Sequence, residues 1–166
     1  MFSSIKTFVA DVPPIAQAYE IVSEAKKEAG IDGSDWLEEV ERLNKAGIKY
    51  QTVAKEIQFF ALNNGCLCGV ADEPMCEIAL EIQHKAQDNM IFFGGYTNGY
   101  EGYLPDTEEY DKGGYEVLWS NLTYYIHYNR VMPLNRDTAD KLSSFAAVTW
   151  KNTLSEKDDA VKKIRR

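Results

Sequence analysis

The apolar period of the chain first changes near Tyr50, from helical spacing to two, and this change restricts the fold more than any other feature. Before it, Ile15, Ala18, Tyr19, Val22, Ala25 and Ala29 recur at helical spacing, with Pro13-Pro14 ahead of them and Gly30 behind. Proline in the first turn and glycine just past the last are helix punctuation. A second helix is expected from Ser34, read as its cap, through the stripe Trp36, Leu37, Val40 and Leu43 to Gly47. After Tyr50 the period is two. Ile57, Phe59 and Ala61 alternate with Glu56, Gln58 and Phe60, which predicts a half-buried strand. Asn64-Gly65 predicts a type I′ hairpin turn, because both residues tolerate positive φ. The strand then returns over Cys66 to Ala71.

Pro74 is expected at the first position of a third helix carrying Met75, Ile78, Ala79 and Ile82 on one side. Asn89 to Phe93 reads as a short apolar strand. Residues 1–12 read as an opening strand or an extended arm. Tyr115 to Val131 is ambiguous between strand and helix. Asp137 opens a last helix that is expected to run to about Trp150. Helical and alternating stretches mixed in this way predict an α/β (α+β) protein, a mixed β-sheet with helices packed on it. One domain is expected over residues 1–150. Residues 151–166 read as a solvated tail, basic at Lys162, Lys163, Arg165 and Arg166.

The 166 residues suffice for one real core. A formal net charge of −8 argues against nucleic acid as a partner and against docking on anionic lipid. No run approaches the roughly 18 apolar residues of a membrane span. Prolines interrupt the N-terminal apolar run, a poor secretory signal, so a cytoplasmic protein is expected. Asn121-Leu122-Thr123 matches a glycosylation acceptor, relevant only to a secreted chain. Cys66 and Cys68 alternate onto one strand face. With Cys76 they lack the second close pair of a zinc site, so buried apolar cysteine is the favoured reading. His84 is expected at the surface or core edge without a chemical role, and His127, among tyrosines, as a packed residue.

The stretch Gly94 to Glu116, GGYTNGYEGYLPDTEEYDKGGYE, holds five of the ten tyrosines and six of the eleven glycines. Such a stretch reads either as a site loop presenting phenols or as a packed aromatic corner. Within it Asp106 and Glu109 form a capping box, closed by Gly113. Glu73 falls where a strand ends and a helix begins. It reads as a helix-start acid or as a metal ligand at the carboxyl end of a strand. If the two strands flanking the third helix are neighbours, about 5 Å apart, Glu73 and a loop tyrosine face one small volume.

The strand pair, the Glu-Pro before a helix, the strand ending in glycine, Asn-Gly-Tyr-x-Gly-Tyr-x-Pro and Gly-Gly-Tyr-Glu together resemble the later part of the catalytic domain of neutral/alkaline non-lysosomal ceramidases and their bacterial relatives. The resemblance runs from about residue 12 to 145. It includes Gly30-Ile31-Asp32-Gly33 followed by Trp36, similar to the preceding segment of bacterial members. It implies a zinc amidohydrolase cleaving the N-acyl amide of ceramide or a related lipid amide. Among the family's ligands, two histidines, a glutamate and a tyrosine, it places the glutamate on Glu73 and the tyrosine on Tyr100. It implies that Tyr103 and Tyr115 line the cleft or hold the oxyanion. The family's histidine motifs have no match here, and neither does the serine it uses near the metal. The chain therefore reads as a fragment-like piece of a larger catalytic domain, inactive alone, with Zn2+ absent or weakly held until a second chain supplies the missing half. The alternative is a non-catalytic ligand- or protein-binding domain that retains the fold. A piece of this kind should leave apolar surface uncovered, so a homo-oligomer is also expected.

Overall fold

Strands β1 (Phe2–Asp11), β2 (Tyr50–Leu62), β3 (Gly65–Gly69) and β5 (Ile91–Gly94) form a mixed sheet in the order β1-β2-β3-β5. The first three run antiparallel, and β5 lies parallel to β3. Helix α3 (Cys76–Ala86) provides the crossover that a parallel pair requires. A smaller parallel pair, β4 (Glu73–Pro74) with β6 (Tyr103–Leu104), sits beyond the end of β3. The structure is a computed structural model; it describes the backbone of residues 1–164 and side chains through Ser155. Of the expected basic end, Arg165 and Arg166 lie outside the described residues, as do the side chains of Lys162 and Lys163.

The sheet is covered on one face. Phe8, Ala10, Ile57, Phe59, Cys66, Cys68 and Ile91 point inward against Ile78 and Ile82 of α3 and against Leu142, Ala146 and Trp150 of α6 (Thr138–Ile164). Each large apolar side chain buried this way contributes about 1.5–3 kcal/mol. Polar ties fix the helices: Trp150 Nε1 donates to Asp88 Oδ2 at 2.7 Å, and Lys85 Nζ to Asp140 Oδ1 at 2.5 Å. A second core joins α1 (Ile15–Ala29), α2 (Ser34–Lys45) and α5 (Ser120–Tyr128) through Ala18, Ile21, Trp36, Val40 and Leu122. Trp36 is fully buried, and its indole N–H donates to the Val131 carbonyl at 2.6 Å.

Several local expectations require correction. The hairpin turn is Asn63-Asn64, with positive φ at Asn63, while Gly65 already pairs with Leu62. The turn therefore starts one residue early, which keeps Phe59 and Cys68 opposite each other on the buried face. Ser34 does not cap α2. The Asp32 carboxylate accepts from the Ser34 backbone N–H and hydroxyl instead, at 3.1 and 2.8 Å. Gly47 does end that helix: it has φ +73°, its N–H bonds the Asn44 carbonyl, and the Ile48 N–H bonds that of Leu43. Pro74 is not helical; it lies in β4, and α3 starts at Cys76. Asp106 caps the short helix α4 (Thr107–Tyr110), and the aromatic run after it is also helical, a π-helical segment Tyr115–Trp119 leading into α5. The last helix continues past Trp150 to Ile164.

Candidate functional site

The backbone between β3 and α3 is bound to the glycine-tyrosine loop by a ladder. Val70 N–H bonds Gly94, Thr97 N–H bonds Val70, Tyr96 N–H bonds Asp72, Glu101 N–H bonds Ala71 and Glu73 N–H bonds Gly102, with N···O separations of 2.8–3.2 Å. Gly95 makes this approach possible: a Cβ there would lie 2.3 Å from the Asp72 carbonyl oxygen. Gly102, at φ +90°, lies against the Tyr128 ring, which a Cβ would meet at 2.6 Å.

Alternation along these segments produces two layers. Asp72 and Glu101 turn inward to Lys55, whose Nζ reaches Asp72 Oδ1 at 2.6 Å and Glu101 Oε2 at 2.5 Å. Lys55 and Asp72 are almost fully buried. Arg130, also buried, donates from Nη1 to the Glu101 carbonyl at 3.1 Å and lies over the Tyr128 ring at 5.2 Å. Burial raises the Asp72 carboxyl above its ordinary value, against the opposing pull of Lys55 and Arg130.

Glu73 and Tyr100 turn outward. Tyr96 donates its hydroxyl to Glu73 Oε2 at 2.5 Å. Its ring stacks on Tyr100 with centroids 5.5 Å apart. Tyr100 in turn meets Tyr128 edge-on at 6.0 Å, the two hydroxyls 3.3 Å apart. Tyr103 and Tyr115 form a T-shaped pair at 6.2 Å. The Glu73 carboxylate thus joins a rim of phenols on which Tyr96 and Tyr100 stay exposed. The hydrogen bond to Glu73 pushes the Tyr96 phenol up to about 12. Burial first, then Glu73, raises Tyr103, and burial first, then Tyr124, raises Tyr115. These three phenols stay protonated at neutral pH, so without an added cation they act as hydrogen-bond donors and not as phenolates.

No family model, curated protein or solved structure matches the chain. Its chemistry must be read from the geometry.

The carboxylate at 73 and the ring at 100 lie on one rim, as the neighbouring strands suggested, but the residue directly bonded to Glu73 is Tyr96. His127 is exposed on α5 and not packed; His84 is exposed on α3. Neither belongs to a cluster: among the described residues no three His, Cys, Asp or Glu side chains are grouped to hold a metal ion. Catalytic zinc normally takes three protein ligands. Two oxygen donors, one already bonded to Tyr96, do not fit a zinc site in this chain by itself. Cys66 and Cys68 are buried in the sheet core, where burial raises the Cys68 thiol, while Cys76 is exposed. The Asn121 side chain is buried and donates to the Val117 and Leu118 carbonyls at 3.2 and 3.3 Å, so the folded chain offers no glycan acceptor there. No helix among the described residues is long and apolar enough to cross a membrane.

Sequence reasoning missed Lys55 and Arg130. The first had a readable signal: counting back by twos from Phe59 and Ile57 puts Lys55 on the apolar face of β2. A cation on that face requires a buried partner. Arg130 follows α5 in an irregular segment and falls in no period.

Proposed function

We propose that this chain supplies the carboxylate–phenol half of a ceramidase-like, metal-dependent amidohydrolase site and is inactive until another chain adds the nitrogen ligands. The observation that carries this reading is the convergence of Glu73 with Tyr96 and Tyr100 on one exposed rim, backed by a buried ionic support. A carboxylate beside phenols is a hard-oxygen donor set that suits a divalent cation. Exposure leaves the open side available to ligands from elsewhere. In this reading Tyr103 and Tyr115, a T-shaped pair next to Glu73, contact the acyl amide. The substrate class is a linear N-acyl amide.

The test is titration of the chain with Zn2+ or Co2+ at pH 8, followed by tyrosinate difference absorption. Weak, millimolar binding with a phenolate signal is expected, abolished in Tyr100→Phe and Glu73→Gln and kept in Tyr124→Phe. No signal, or one indifferent to both rim substitutions, contradicts the reading.

A second reading is favoured by the exposed Tyr96–Tyr100 stack: a non-catalytic module binding an apolar or sugar-like ligand on the ring faces. Affinity for an alkyl glycoside that survives Glu73→Gln and Tyr100→Phe, without metal uptake, selects it.

A further inference from the structure

The outer face of the sheet is open around the hairpin end of β2, β3 and β5, up to Gly69, which Thr97 covers. On that face Phe60, Leu67 and Phe92 stand directly opposite one another on β2, β3 and β5. Leu62 and Met90 extend the row on either side of Gly65, where the Met90 side chain lies 3.6 Å from the position of a Cβ. The five are exposed by 46–63%. The inward residues of the same strands are buried against α3 and α6, which pack on the other side of the sheet.

We propose that this face is the contact surface for a second copy of the chain, packed sheet against sheet about a twofold axis. Two observations select that occupant. The first is area. Taking about 200 Å2 for a large apolar side chain, the five exposed fractions leave about 500 Å2 of apolar surface. An ordinary stable interface takes about 800 Å2 from each partner, with about two-thirds of an apolar centre non-polar. The patch supplies that centre. The second is charge. The chain has 26 acidic and 18 basic residues, and two copies repel over most of their surface. The outward positions of β1, β2, β3 and β5 include only two charged residues, Asp11 and Glu56. Glu56 is four positions along β2 from Phe60, and Asp11 is paired with Tyr50 at the far end of the sheet. A like-charged copy can approach this face without placing carboxylates together at its centre. A twofold axis near Leu67 sets each apolar row against its equivalent, the usual form of a homodimer contact. The contact is independent of any metal at the rim.

Sedimentation equilibrium of the full chain over a hundredfold concentration range tests this. A shift from the 18.8 kDa monomer to the dimer is expected. Leu67→Lys, which sets two cations against each other at the axis, should weaken the dimer at least tenfold, while Val148→Lys on exposed α6 should leave it unchanged. In the unmodified protein, hydroxyl-radical oxidation of Phe60, Leu67, Met90 and Phe92 should fall as concentration rises, and that of Leu80 and Val148 should not. This second measurement stands even if the Leu67 variant does not fold. A wild type that remains monomeric at millimolar concentration, a dimer indifferent to Leu67→Lys, or protection falling on Leu80 and Val148 overturns the proposal.

Discussion

Asp72 and Glu73 are adjacent, as are Tyr100 and Glu101, yet one member of each pair grips the buried Lys55 and the other belongs to the outer rim. Asp72 and Glu101 grip Lys55 beneath the loop. Glu73 and Tyr100 face solvent with Tyr96. Extended backbone sends successive side chains to opposite sides, so fixing the inner member of each pair aims the outer one. The two layers divide the labour. Charge buried inside sets geometry and stability. Phenols outside remain free for ligands and contribute little to folding. Substitutions in the clamp should therefore unfold the chain, and substitutions in the rim should change only its chemistry.

The largest effect is expected from Lys55→Met. It strands the Asp72 carboxylate without its cation, which typically costs about 3–5 kcal/mol. Urea unfolding should report this loss, and an unchanged midpoint would remove the clamp from the picture. Gly102→Ala comes next. Its Cβ would strike the Tyr128 ring in a backbone region that L residues avoid, and overpacking of this kind costs about 1–3 kcal/mol. Thermal unfolding should show it, whereas Gly113→Ala, also at positive φ but with open space around it, should cost less. Tyr100→Phe removes one long hydroxyl contact to Tyr128 and should change stability by no more than about 1 kcal/mol. It should nevertheless abolish the metal-induced phenolate signal. If Tyr100→Phe destabilised the chain as much as Lys55→Met, the proposed division between clamp and rim would fail.

Much of the fold could be read from the sequence because it rests on period. The stripes of α1 and α2, and the alternation in β2, are visible in the residues that pack. The mixed sheet with helices packed on it follows from them. The nearness of Glu73 to the tyrosine loop was legible for a topological reason, since β3 and β5 are parallel neighbours joined by α3. Other features depend on contacts that no local pattern encodes. The hairpin register is set by cross-strand packing of Phe59 on Cys68, which overrides the preference of Asn64-Gly65 for a turn. The π-helical segment at Tyr115–Trp119 is dense in aromatics and has no clean period. Tyr96 could not be distinguished from Tyr100 as the partner of Glu73, because the choice depends on how the loop folds back. The bare sheet face had a trace in the sequence: Phe60 and Leu67 are apolar in the outward phase of their strands, where Glu56 and Gln58 lead one to expect polarity.

Site-resolved pH titration by NMR of 13C-tyrosine-labelled protein tests the Glu73–phenol contact most directly. A Tyr96 phenol raised from 10.0 to about 12 is neutral in the folded chain when its unfolded counterpart has ionised. The stabilisation is therefore complete below the unfolded value and is lost as pH climbs through about 12. The resonance removed by Tyr96→Phe should titrate near 12 in the wild type and fall towards 10.0 in Glu73→Gln, with the other tyrosines nearly unmoved. A Tyr96 that titrates alike in both proteins would mean that the carboxylate and the loop phenols do not share a site.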